Sequence, residues 1–488
     1  MKYLILLGLL LTHSSFAETS SNVFRLHLSN EPSSLDPNKQ RSSSSSYALS
    51  NLYRNLFQYD DEKGLQTDLA SSCQRDKKRN LTCKLKSDLK WSDGSPLLAA
   101  DFIRTYRKII QFTTQAPRAD FLFNLKNAES IYKGKMPAEK LGVTATDKRT
   151  LLFEFEKPDP DFEYKLASFL IAPSKETLNA YTGPYQLKEW KRGQKLILSP
   201  NLHYPGHAKR PHVEFLFIEE DSVALQLYEK NELHFLRRLP TLFIPRFKQR
   251  ADFFFYPVLR FDYLGFGPDL ASRPDVRAAL TYSLNYTELQ KIFSSKGRPG
   301  CPGLPDSWFP EKAPCFEFQL KKVQITQKTP AFDFLFSSLG GEDHRRATEW
   351  MQNQWRKNAK IKTRPQSREN KIFLQTLRDN PPALFRKGVS PDRPTCLATL
   401  ETFADNSPEN YIRLRSAEFS EILAQLAQET KTAEQRKLCK KGVDFLMARH
   451  LLIPLGPIHF AMLAKKEFQG WKLNQMNQLD LSGLHFKP

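Results

Sequence analysis

Apolar side chains return every three to four positions over residues 47–57 (YALSNLYRNLF), which predicts a helix, with the five serines at 42–46 as its approach and cap. Residues 101–110 place Phe102, Tyr106 and Ile109 on one side, and residues 276–289, 345–356 and 417–429 show the same amphipathic period. Residues 83–86 alternate like a strand and run into the turn Ser92-Asp93-Gly94-Ser95-Pro96, while 151–155 and 195–198 also read as strands. Strands and helices interleave, no segment repeats, and no linker divides the chain. The pattern predicts an α/β protein whose chain crosses between lobes more than once.

At 488 residues the chain has length for about three folding units. A hydrophobic share of 40% with 26% charged residues excludes a disordered or collagen-like chain. Its 36 phenylalanines must fill cores or line a cleft. Lys and Arg number 73 against 53 Asp and Glu, a net charge of +20, but the excess is scattered along the whole chain. Scatter predicts a solvated basic surface, whereas a nucleic acid needs the charge gathered in one stripe, so no nucleic-acid partner is expected.

Residues 1–17 read as a secretory signal peptide: Lys2, an apolar run from Leu4 to Leu11, and Ser15-Phe16-Ala17 before a cut ahead of Glu18. The run is far short of the ~20 residues a membrane span needs, and no Cys near the cut offers a lipid anchor. The expected location is the periplasm. Six cysteines in an exported chain can form three disulfides. Cys73 and Cys83 flank a polar hairpin tip, Cys301 and Cys315 bracket a proline-rich loop, and Cys396 and Cys439 remain. Sequence alone leaves fifteen connectivities open, and only the first two pairs have a local argument.

Motifs for catalysis are missing: the chain has no GxSxG, HExxH or GxxxxGK[ST]. Ser87-Asp88-Leu89-Lys90 matches an SxxK pattern without its KTG or SDN partners, where a strand enters a turn. His203, His207 and His212 cluster in a loop with no Cys, Asp or Glu at ligand spacing. No enzyme activity, metal or cofactor is expected.

Several separated stretches resemble one family. Asn30-Glu31-Pro32-Ser33-Ser34-Leu35-Asp36-Pro37 resembles an NEPxSLDP opening, and Leu52-Tyr53-Arg54-Asn55-Leu56 an LYxGL helix end. Lys90-Trp91-Ser92-Asp93-Gly94-Ser95-Pro96, followed by Ala99 and Asp101-Phe102, is close to KWSDGxPxTAxDF, with Leu98 in place of a capping Thr. Thr182-Gly183-Pro184-Tyr185, Pro274-Asp275-Val276-Arg277 and Ile453-Pro454-Leu455 continue the likeness in order. Together these resemble the family 5 solute-binding proteins of ABC importers, which include the oligopeptide- and dipeptide-binding proteins.

The resemblance implies a two-lobed periplasmic binding protein fold, class II-like, with three domains and a hinge. It places domain I at 18–45, 155–257 and 455–488, an inserted domain II at 46–154, and domain III, the second lobe, at 258–454. It implies a monomer that captures a peptide or peptide-like solute in the interlobe cleft and delivers it to an inner-membrane permease. The cleft candidates are Ser33 from the opening, Arg118 and Phe121 after the first-lobe helix, and Phe385, Arg386, Lys387 and Gly388 from the third domain. Peptide binders carry there a W-x-A-D-Y-like stretch whose Asp pairs with the ligand's α-ammonium. Here Phe385-Arg386-Lys387-Gly388-Val389 puts glycine at that Asp, with Asp392 as the nearby carboxylate. Two cations then replace one anion, and anionic or amine-blocked extended ligands are expected over free-amine peptides. Thr67 and Asn231-Glu232-Leu233-His234 also depart from the family, so a transport-deficient envelope interaction protein on the same fold is the alternative, with a polyanion binder behind it.

Overall fold

The computed structural model describes residues 23–40, 45–77, 80–293 and 296–487. The signal peptide assigned to residues 1–17 and the serines at 42–44 lie outside the described residues.

Three larger sheets organise the chain. A seven-stranded sheet has the order Phe253–Val258, Ile458–Ala464, Phe235–Leu236, Val23–Leu28, His212–Phe217, Lys195–Pro200, Tyr185–Lys191. Val23–Leu28 lies inside it, parallel to both neighbours, and alternates, with Phe24, Leu26 and Leu28 fully buried between Arg25 and His27. A four-stranded antiparallel sheet follows the order Ala70–Arg75, Leu81–Leu85, Thr150–Phe153, Val143–Asp147. The helix Ala99–Ile110 buries Phe102, Ile103, Tyr106, Ile109 and Ile110 in its core. Leu98 brings no hydroxyl to this helix start. Asp101 keeps the reciprocal half of the cap, its carboxylate accepting from the Leu98 N–H at 2.9 Å.

The second lobe is a mixed five-stranded sheet, Thr363–Arg368, Phe332–Ser337, Leu384–Val389, Phe261–Phe266, Leu452–Pro454, within the largest apolar core. Two short connections join the lobes: Leu259-Arg260 between paired strands of the two sheets, and Leu455-Gly456-Pro457 on the return. Gly456 turns there with φ +98°, a conformation that disfavours a side chain.

Two expected helices differ from the pattern. The helix predicted over 47–57 stops at Leu52, because Thr182 Oγ1 accepts from the Arg54 N–H at 2.8 Å and donates to the Arg54 carbonyl at 3.0 Å. The helix predicted over 276–289 is two helices, Pro274–Tyr282 and Tyr286–Ile292, since the Asn285 side chain caps the second by accepting from the Glu288 N–H. The cores divide this part of the chain. Tyr47, Leu49 and Leu52 pack with the seven-stranded sheet, whereas Phe162, Leu166 and Ile171 still belong to the four-stranded core.

A C-terminal segment returns to helix Ser46–Leu52. Asn51 donates to the Leu479 carbonyl at 2.7 Å and accepts from the Leu481 N–H at 2.9 Å, Tyr47 donates to Asn477 at 2.6 Å, and Arg54 pairs with Asp480. All three cysteine pairs are bridged: Cys73–Cys83 across adjacent strands, Cys301–Cys315 around the proline-rich loop, and Cys396–Cys439 between two helices.

His234 makes the first lobe acid-sensitive. Its ring is buried against Phe468 and its Nδ1 accepts from the Arg25 N–H at 2.9 Å, a bond only the neutral imidazole can accept. Burial first, then the charges of Arg25 and Lys465, push its pKa down to about 4 from 6.5. The unfolded chain therefore binds the proton more tightly, and this contribution, complete above pH 6.5, is lost as pH falls toward 4. Urea midpoints measured from pH 7 to pH 4 should fall, and His234→Gln should flatten that fall; equal slopes would refute the assignment.

Candidate functional site

The strand Leu384–Val389 carries four of the sequence candidates. Along its whole length it pairs with Phe261–Phe266, but its other neighbour, Phe332–Ser337, meets it only at Leu384 and Phe385. From Arg386 to Val389 one edge of the strand is therefore open to a further extended chain.

Phe385 is fully buried, packed on Gly265 and Tyr263, so it shapes the wall from behind and offers no contact surface. Phe121 is likewise a core residue, under the Arg118 guanidinium at 4.0 Å. Lys387, half-buried, lies over Tyr411 at 5.7 Å and donates to the Gly388 carbonyl; burial lowers its pKa. Ser33 is exposed in the loop after Val23–Leu28.

Gly388 sits opposite Asp262 in the register, and the reason for glycine is steric. A Cβ there would lie 2.1 Å from Asp262 Oδ1 and 2.3 Å from Arg260 Nη2. The neighbouring strand thus supplies a carboxylate to the space a residue-388 side chain would take. That carboxylate is 2% exposed and already shared: Arg386 Nη2 binds Oδ2 at 2.8 Å, and Arg260 Nε binds Oδ1. Burial opposes its charge, but Arg260 and Arg386 overcome it and hold the carboxyl far below the usual range. The expectation of two cations without an anion is corrected here: Arg386 is ion-paired to Asp262, although Arg260 shares that carboxylate and Lys387 stands on the same strand.

Asp392 is not a free amine partner either. Arg118 grips it across the lobes, and Arg393 binds it at 2.7 Å. Arg393, 3% exposed, also reaches Asp161 at 2.8 Å and Glu401 at 2.6 Å, and Thr395 donates to Asp161 at 2.6 Å. Arg118 and Asp161 belong to the four-stranded unit, Asp392, Arg393 and Glu401 to the second lobe. A second bridge lies beside the seven-stranded sheet, where Thr241 donates to Asp343 and Arg238 reaches Asp343 at 4.0 Å and the Gly340 carbonyl at 3.4 Å. The lobes are closed on one another.

Sequence reasoning missed Arg238, Arg260, Asp262, Arg393 and Asp161. One signal was present: Asp262 interrupts the apolar run Phe261-Asp262-Tyr263-Leu264, and a carboxylate inside a buried strand requires a cationic partner.

Two lobes joined by two short connections, bridged by side chains of opposite charge, with an open strand edge in one lobe, define a hinged protein that closes over an extended ligand. The chain belongs to the bacterial extracellular solute-binding proteins, family 5 (Middle), which it matches over residues 64–411. It is similar to the periplasmic murein peptide-binding protein MppA of Escherichia coli strain K12, 24% identical over 92% of this chain and 90% of that one. The probable deoxycholate-binding periplasmic protein YgiS of the same strain is 24% identical over 91% and 89%. Among solved structures, Haemophilus influenzae OppA in complex with the peptide RPPGFSPFR superposes with a TM-score of 0.81 at 21% identity, covering 96% of this chain and 99% of that one. These relatives are named as binding proteins, and the two-lobed mixed α/β fold is theirs.

Proposed function

We propose that the protein captures a peptide or peptide-like solute between its lobes in the periplasm and delivers it to an ABC permease of the inner membrane. The observation that carries this reading is the open edge of Leu384–Val389 from Arg386 onward, in a lobe that closes onto the first. An extended ligand paired there gains main-chain hydrogen bonds without its side chains being read, and closure removes it from water. The relatives named for peptides and for the periplasm support the same reading. The protein acts without catalysis and as a monomer, with a cleaved leader at 1–17. Its domain I is assembled from three segments, domain II is inserted, and domain III spans the second lobe.

Native mass spectrometry of the purified protein is the test. A mass excess that is lost on unfolding and fragments as an amide-linked chain is expected. A ligand-free protein that also shows no thermal shift with any tri- to pentapeptide pool would overturn the reading.

A further inference from the structure

We propose that the interlobe cleft holds an anionic group of its ligand at a site built from Arg386, Arg260 and His344 of the second lobe and Arg238 of the first, at the end where relatives pair an amine. The inference rests on peptide capture as proposed above and adds the chemistry of the ligand's terminus.

The donor count carries it. Arg386 is 5% exposed and spends one nitrogen on Asp262, leaving Nε and Nη1 buried with no acceptor among the described residues. A buried N–H without an acceptor costs about 1–3 kcal/mol, more on a charged group, so the site favours whatever brings oxygen atoms to it. His344, in the first turn of Gly341–Asn358, also buries an Nδ1 with no partner among the described residues, a further donor in the Nδ1–H tautomer. Arg238 approaches from the other lobe and reaches its carboxylates only loosely, Asp221 at 3.7 Å and Asp343 at 4.0 Å. Around Arg386, donors outnumber acceptors among the described residues.

Charge agrees with the count. Arg386 and Arg260 share one buried carboxylate, Asp262, while Arg238 reaches Asp343, which Thr241 also takes. Burial and then the nearby Arg386 push His344 well below its ordinary pKa, so it stays neutral there. An ammonium would meet guanidinium groups and a carboxylate already taken by two of them. A carboxylate would meet two free N–H groups of Arg386 and the loosely held Arg238, charge-assisted contacts of the stronger kind. The open strand edge beside Arg386 keeps the main-chain pairing available to the rest of the ligand.

Matched tri- to pentapeptide pools with a free amine, an N-acetyl cap or an N-succinyl cap test it, the last placing a carboxylate at the amine end. Binding is read by calorimetry and by melting-temperature shift. The succinyl pool should bind about tenfold tighter than the acetyl pool, with the free-amine pool weakest. Arg238→Gln, and the charge-balanced pair Arg386→Met with Asp262→Asn, should each erase the succinyl preference while leaving acetyl binding measurable. Free-amine peptides binding as tightly as succinyl ones would overturn the anion site and leave peptide capture standing. A succinyl preference that survives both variants would overturn these residues as its source. Binding by no pool, with the variants folded, would overturn peptide capture itself and this inference with it.

Discussion

Replacing Arg393 by methionine is expected to cost the protein about 3–5 kcal/mol of stability, the loss seen when one partner of a buried ion pair is removed. Arg393 is 3% exposed and is the cation that Asp161, Asp392 and Glu401 share. Burial would lower its pKa, yet the three carboxylates raise it well above its ordinary value. Without it, Asp161 keeps only Thr395 and Asp392 only Arg118. Because Asp161 lies in the first lobe, the variant should also open: its radius of gyration in small-angle scattering should exceed that of the parent. Arg393→Lys restores one charge but not the three-way geometry, so partial recovery is expected. Unchanged denaturation midpoints in Arg393→Met would refute the role given to this bridge.

Gly388→Asp is the second large effect, and its direction opposes what the motif suggests. By the family pattern an aspartate at 388 restores an amine-pairing carboxylate. In the structure its Cβ would stand 2.1 Å from Asp262 Oδ1, placing a second carboxylate on the first. Overpacking and like-charge burial together should cost roughly 3 kcal/mol or more. The compensating pair Gly388→Asp with Asp262→Gly moves the carboxylate from one strand to the facing position and should recover most of the loss. Chemical denaturation of the three proteins decides it: a single variant as stable as the parent would show that the space is not filled by Asp262.

This pair of residues also marks where the sequence stops being legible. The helix Ala99–Ile110 and the strands Lys195–Pro200 and Thr150–Phe153 follow from local periodicity, and the Cys73–Cys83 and Cys301–Cys315 bridges from short loops in an exported chain. Gly388 could be read as a departure from the family, but what fills its space comes from Asp262, 126 positions earlier by their numbers, through a cross-strand register that no local pattern encodes. The helix expected over 47–57 failed for the same reason, since Thr182 arrives from a distant segment to take the Arg54 backbone. The resemblance puts Phe121 and Phe385 at the cleft, but an apolar side chain signals burial equally well in a core, and both are buried in cores.

The clasp of residues 477–481 on helix Ser46–Leu52 bears on the order in which a chain made from its N-terminus can acquire structure. The sheet that holds Val23–Leu28 also needs Ile458–Ala464, and Asn51 finds its acceptor and donor only at Leu479 and Leu481. The five-stranded lobe, by contrast, is drawn from one continuous stretch between Phe261 and Pro454. A growing or translocating chain can therefore pair Val23–Leu28 with His212–Phe217 early and complete its second lobe, while Phe235–Leu236 and Phe253–Val258 still wait for Ile458–Ala464. The lobe begun first is thus the last to be sealed, and the phenylalanines of Phe253–Val258 stay without their strand partner until the final tenth of the chain arrives.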